Sequence, residues 1–155
     1  MTDSNPNCEI CQRIALIKKQ QNPYFVQELT TGYVVLGDNQ YFKGYTLFLS
    51  KQHVTELYYL PSEKQDLFLH EMSLVNEAVA EAFQADKMNC ELLGNGESHL
   101  HWHLFPRKQH DTPIPGPVWW LDKDIMYADS TRPNQIELAN LKDQLKQELN
   151  KLLAK

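Results

Sequence analysis

Histidine at every second position of His99-Leu100-His101-Trp102-His103-Leu104-Phe105 constrains this chain more than any other feature. Side chains alternate faces along a strand with period 2. The pattern predicts a strand over 99–105 with His99, His101 and His103 on one face and Leu100, Trp102 and Leu104 on the other. The second set can be buried in a core. That leaves three imidazoles, half of the chain's six histidines, in a row on the solvent face. An imidazole acts as nucleophile, proton donor or metal ligand according to its tautomer and its neighbours.

The rest of the chain places this strand in an α+β fold. Apolar positions at Ile10, Ile14 and Ile17 predict a short helix over 9–19. Runs rich in β-branched and aromatic residues at 24–29, 33–37 and 44–50 predict three antiparallel strands in meander order. They are separated by Thr31-Gly32 and Gly37-Asp38-Asn39. Ser62 and Gln65 form a capping-box pattern after Pro61. The stripe Phe68, Met72, Val75, Val79 and Ala82 then predicts a long helix ending near Ala85. Residues 88–94 and 99–105 read as two more strands joined by Gly94-Asn95-Gly96. Five prolines make 106–133 irregular. Asn134 with Glu137 opens a last helix over 134–153, striped by Leu138, Leu141, Leu145, Leu149 and Leu152, which is expected to pack on a core. Helices and strands are segregated, which argues for an antiparallel sheet in one domain spanning 1–155.

Composition removes several function classes. A net charge of −5 argues against a general nucleic-acid or membrane-surface binder. No apolar run approaches the ~20 residues that span a bilayer. Met1 to Asn7 carry neither a basic region nor an apolar one, so a cytoplasmic location is expected.

Cys8-Glu9-Ile10-Cys11 is the second chemical feature. A C-x-x-C pair is redox-active, zinc-binding or incidental. The redox form should follow a strand, whereas here seven mostly polar residues precede it. Zinc would require two further ligands, for which histidines are available. His53 follows the third strand, and His70 and His110 read as surface residues. Cys90, inside a strand, reads as a small core residue.

At every position His99–Phe105 resembles the signature of the histidine-triad (HIT) family, with histidine alternating with apolar residues. Pro106-Arg107 after it, Lys51-Gln52-His53 upstream and Cys8-x-x-Cys11 at the start resemble further elements of that family's zinc-binding branch. The resemblance spans residues 8–107. It implies a five-stranded antiparallel sheet with two helices, and a homodimer whose sheets join. It implies nucleotidyl chemistry at the α-phosphorus of a nucleotide conjugate, with His101 as nucleophile and His103 at the phosphate and leaving group. It also implies a structural Zn²⁺ held by Cys8, Cys11, His53 and His99. Asp38 corresponds to the ribose contact, and Asn95 and Ser98 are the local phosphate donors; Ser98 could equally be an ordinary strand-start serine. The 94–98 turn is shorter than the glycine-rich hairpin of many members, and 109–132 has no general family counterpart. There Trp119-Trp120 could cover a base, pack at an interface or close the core.

Four functions follow. The first is a nucleotide-conjugate hydrolase acting on dinucleoside polyphosphates or nucleoside phosphoramidates. The second is a nucleotidyltransferase to a sugar-phosphate-type acceptor; hexose-1-phosphate uridylyltransferases pair His-x-His with a later glutamine, where this chain has His103. The third is a metalloenzyme using His99, His101 and His103, although three ligands in a row from one strand seldom converge on one ion. The fourth is a non-catalytic nucleotide-binding regulator.

Overall fold

The computed structural model describes residues 4–155. Its centre is a five-stranded antiparallel sheet built from β1 (Phe25–Glu28), β2 (Gly32–Leu36), β3 (Thr46–Ser50), β4 (Lys87–Glu91) and β5 (His101–Arg107). The strand order is β1-β2-β3-β5-β4. The meander therefore runs through the first three strands only. Helix α2 (Ser62–Phe83) then crosses the sheet and delivers β4 to the edge, so that β5 returns into the gap beside β3. The histidine strand is thereby hydrogen-bonded on both sides, with Leu49 opposite His101 and Leu47 opposite His103 on β3.

One face of the sheet carries α2 and the C-terminal helix α4 (Gln135–Leu153). Leu100 and Leu104 join Phe48, Phe68, Val75 and Val79 there, and Leu138, Leu141, Leu145 and Leu149 close the same core. The leucine stripe thus packs on its own chain. Asn134 and Glu137 form the expected capping box. The one expected at Ser62 does not form. Pro61 is the N-cap, and Gln65 reaches back to donate to the Leu60 carbonyl at 2.7 Å. Glu71 is a buried charge on the apolar side of α2. Its carboxylate accepts from the Thr30 and Thr31 backbone N–H groups at 2.9 and 2.7 Å and from the Thr31 hydroxyl, pinning the β1–β2 turn.

The opposite face is covered as well. Helix α1 (Glu9–Lys18) lays Ile10, Cys11, Ile14 and Ile17 over Tyr33, Val35 and Leu49. Val118, Leu121 and Met126, from the segment around the one-turn helix α3 (Lys123–Met126), pack on Phe42, Tyr45 and Phe105. Arg107 holds this proline-rich stretch to the sheet. Its guanidinium donates to Asp111, Asn89 and the Gly116 carbonyl at 2.8–2.9 Å and lies over the Phe42 ring. The histidine face is therefore interior, and His101 retains only 6% of its surface.

Two expectations in β4 and the loop after it are corrected. Cys90 is exposed at the sheet edge, where its thiol donates to Asn76 Oδ1 at 3.0 Å. Residues 92–100 form an irregular connection rather than a tight turn. Leu100 is tied to the segment after β3, accepting from Ser50 N and donating to the Val54 carbonyl. That pulls His99 out of the strand. No described helix is long and apolar enough to cross a membrane.

Candidate functional site

Cys8 is the N-cap of α1, and its sulfur accepts from the Cys11 backbone N–H at 3.3 Å. The C-x-x-C spacing thus places both sulfurs at the N-terminus of α1. Both face His99, which the loop geometry turns away from the sheet. Cys8 Sγ and Cys11 Sγ lie 3.6 and 3.4 Å from His99 Nδ1, and His53 Nδ1 lies 3.3 Å from Cys11 Sγ and 3.1 Å from His99 Nδ1. All four donor atoms fall within 4.8 Å of one another.

His99 Nε2 lies 2.7 Å from the Ser50 carbonyl and must donate to it. Nδ1 is then a bare lone pair aimed at the cluster. Burial keeps the ring neutral, pushing its pKa down to about 4. Two sulfurs and two imidazole nitrogens are the donor set of a closed tetrahedral zinc site. Zn–S near 2.3 Å and Zn–N near 2.0 Å imply donor separations of about 3.3–3.8 Å, close to those observed. The residues fit the metal.

His101 and His103 follow at the start of β5. His101 Nδ1 lies 2.6 Å from the His99 carbonyl and donates to it, which leaves Nε2 unprotonated. Nε2 is 3.0 Å from His103 Nε2. His103 Nδ1 is 2.6 Å from the Tyr45 hydroxyl. Burial lowers the pKa of both rings, that of His103 to about 4, with His101 beside it as a second cause. Both are neutral at pH 7. A neutral ring keeps the lone pair that nucleophilic attack requires.

A cavity of about 190 Å³ opens on His101 between α1, the end of β2 and α3. Val35, Leu47, Leu49 and Met126 make its walls apolar, and Glu9, Asp38 and Glu97 make it acid-rich. Its one cation, Arg13, is already engaged. The guanidinium grips both Asp38 oxygens at 2.8 Å and also reaches Glu9. Such a cavity suits an uncharged sugar or base better than a free phosphate.

The expected residues do not all converge. His101 and His103 are adjacent, and Cys8, Cys11, His53 and His99 form one cluster. Asp38 lines the cavity, with its charge held by Arg13. Asn95 and Ser98 are exposed in the 92–100 loop, whose Glu97 lines the cavity instead. Trp119 stands edge-on to His103 and Phe105, with its indole N–H on Glu91, and is 39% exposed; Trp120 is 62% exposed. His70 and His110 are exposed, as expected.

Tyr45, Arg13 and Glu97 were missed by sequence reading. Tyr45 lies two residues before Leu47, which pairs with His103, so only knowledge of the strand register could have found it.

Comparison with known proteins decides the family. A family model described as the HIT domain matches residues 18–110. The chain is a member of the HIT family. A histidine triad protein from Marinobacter aquaeolei VT8 is 30% identical, with a TM-score of 0.67 over 83% of this chain and 89% of that one. "Protein hit" of Bacillus subtilis is 26% identical over 84% of this chain and 88% of its own length. A Zn-bound histidine triad family protein from Mycobacterium smegmatis shares the fold, with a TM-score of 0.65 at 18% identity over 96% of both chains. The α+β fold of this HIT protein, with its five-stranded antiparallel sheet, agrees with these relatives.

Proposed function

We propose that this HIT protein hydrolyses a nucleotide conjugate at its α-phosphorus through a nucleotidyl-histidine on His101. One observation carries the reading: the His99 carbonyl holds the proton of His101 on Nδ1, so that the lone pair falls on Nε2 of a ring lining a cavity of about 190 Å³. That lone pair forms an N–P bond as the bond from phosphorus to the leaving group breaks, and the electron pair departs with the leaving group. Water then attacks phosphorus and gives up a proton to solvent, and the N–P pair returns to His101. Splitting one displacement into two easier ones is the use of a covalent step.

His103, whose Nε2 lies 3.0 Å from His101 Nε2, is the group placed to contact the phosphate and the leaving atom. Asp38 is the ribose contact, and Asn95 and Ser98 are the donors their loop can offer the phosphate. A structural Zn²⁺ on Cys8, Cys11, His53 and His99 fastens α1 to the strand. The open edge of β4 is the surface through which two sheets would join in a homodimer. Cysteines serving as metal ligands rather than as a disulfide suit a reducing cytoplasm.

The test is early quenching with diadenosine polyphosphates, adenosine phosphoramidates and a nucleotide sugar, followed by intact mass. A nucleotide adduct, or released mononucleotide, that disappears in His101→Ala is expected. Neither adduct nor product across the set would overturn the hydrolase reading in favour of a binding role, and transfer of the nucleotide to an added sugar phosphate would make the protein a transferase.

A further inference from the structure

We propose that Tyr45 is a positioning residue that holds His103 in the tautomer carrying its proton on Nε2. The catalytic consequence rests on the hydrolase reading above; the tautomer does not. The argument begins with how firmly Tyr45 is placed. Its ring is stacked on Phe105 with centroids 4.1 Å apart and planes 8° from parallel. Gly37 lies against its Cδ2–Cε2 side, where a Cβ would come within 2.2 Å of the ring. The glycine there permits close approach. Two donors, Gly37 N and Gln40 Nε2, each hold the Tyr45 carbonyl at 2.9 Å. A ring stacked on Phe105, closely approached by Gly37 and held at its backbone leaves its hydroxyl one place to be, 2.6 Å from His103 Nδ1.

The protons can then be counted along the chain of contacts. The phenol is buried and stays protonated, because burial raises its pKa well above the ordinary value. If Nδ1 carried the His103 proton, the Tyr45 oxygen would accept it and its own O–H would have no partner among the described residues. His103 Nε2 and His101 Nε2 would then face each other as two lone pairs at 3.0 Å. Both faults vanish in the other tautomer. Tyr45 O–H donates to Nδ1, His103 Nε2–H donates to His101 Nε2, and His101 Nδ1–H donates to the His99 carbonyl. Every proton has an acceptor, as buried polar groups require.

In the resting protein His103 therefore shields the nucleophile's lone pair. When that lone pair turns to phosphorus, the His103 N–H is released beside the reacting group. There it can hydrogen-bond to the phosphoryl or leaving oxygen without a change of tautomer. A wrong tautomer is costly even where geometry is intact. Tyr45 also lines the cavity, but its hydroxyl is engaged with His103 Nδ1 and acts on the reaction through His103.

Tyr45→Phe removes only the hydroxyl and leaves the stacked ring in place. Long-range imidazole ¹H–¹⁵N spectra of the zinc-containing protein, with His103 assigned by His103→Gln, read the tautomer directly at neutral pH. A protonated Nε2 and bare Nδ1 at His103 are expected in the wild type, and loss of that single-tautomer pattern in Tyr45→Phe. With the conjugate that the wild type hydrolyses, kcat should fall about tenfold or more while KM stays within about twofold. A wild-type spectrum with Nδ1 protonated, a Tyr45→Phe spectrum identical to wild type, or an unchanged kcat would each overturn the proposal. If the wild type turned over no conjugate, the hydrolase reading would fall, and the spectra would still decide the tautomer.

Discussion

The His99 carbonyl accepts the Nδ1–H of His101 at 2.6 Å, while the His99 imidazole lies 3.4 Å from Cys11 Sγ. One residue thus joins the cysteine–histidine cluster to His101, the proposed nucleophile. Its ring is anchored in the cluster and in the Ser50 carbonyl, and its backbone orients His101. Positioning of this kind is what catalysis at phosphorus chiefly requires.

Replacing Cys11 by Ser should therefore lower zinc content, stability and turnover together. Loss of a structural metal ranks among the large single-site effects. For a domain of this size, where 1 kcal/mol shifts Tm by about 2–4 °C, a fall of roughly 10 °C is expected. Elemental analysis and thermal melts check it. A Cys11→Ser protein that kept one zinc per chain would exclude Cys11 as a ligand.

Asp38→Ala should act differently. Its carboxylate lines the cavity but lies on the Arg13 side, away from the His101–His103 contact. A contact made equally in ground and transition states changes KM and leaves kcat alone. KM should rise about tenfold, the equivalent of one charged hydrogen bond. Steady-state kinetics on the preferred conjugate decide it. Stability should change by less than about 1 kcal/mol, because both partners of the pair are part-exposed.

Glu71→Ala should be among the most damaging changes remote from the site. It would leave two part-buried backbone N–H groups and one hydroxyl without their acceptor. Each such group costs about 1–3 kcal/mol unless water reaches it, so a loss of roughly 2–3 kcal/mol in urea denaturation is expected. Lys51→Ala, which removes a surface pair with Glu28, should cost less than about 1 kcal/mol and serves as the comparison.

What was legible in the sequence shares a physical character. The leucine stripe of α4 and the His-apolar alternation of β5 are periodic, and the period alone assigns the buried face. The C-x-x-C at a helix start is local, so its two sulfurs could be placed together. His53 and His99 came from the family resemblance, because nothing local links positions 46 residues apart. What was not legible depends on register and on pairs distant in sequence. Tyr45 meets His103 only because β5 inserts beside β3 rather than following β4 outward. Arg13 meets Asp38 only because α1 folds over the end of β2. The face of His101 was expected to meet solvent because alternation says which side a residue takes, not what covers that side. Here α1 and the segment around α3 cover it.

Stability should also fall as the medium is acidified, with a sign that His103 sets. Its pKa is pushed down to about 4 in the folded protein, chiefly by burial, against about 6.5 in an unfolded chain. Between those values the unfolded chain binds the extra proton. Stability therefore increases with pH across the window. The contribution is fully present above about pH 6.5, declines as pH falls, and is spent near pH 4. Its size is of order 2–3 kcal/mol at most, since the ring has one open side. Acid also protonates the cysteines and loosens the metal cluster, so the wild-type profile alone does not isolate His103. His103→Gln keeps a polar side chain of similar reach and removes the titration. Urea denaturation of both proteins at pH 7 and pH 5, with zinc content measured in each, separates the two effects. The wild type should lose more stability than His103→Gln over that interval. Equal losses would show that His103 does not hold a depressed pKa in the folded protein.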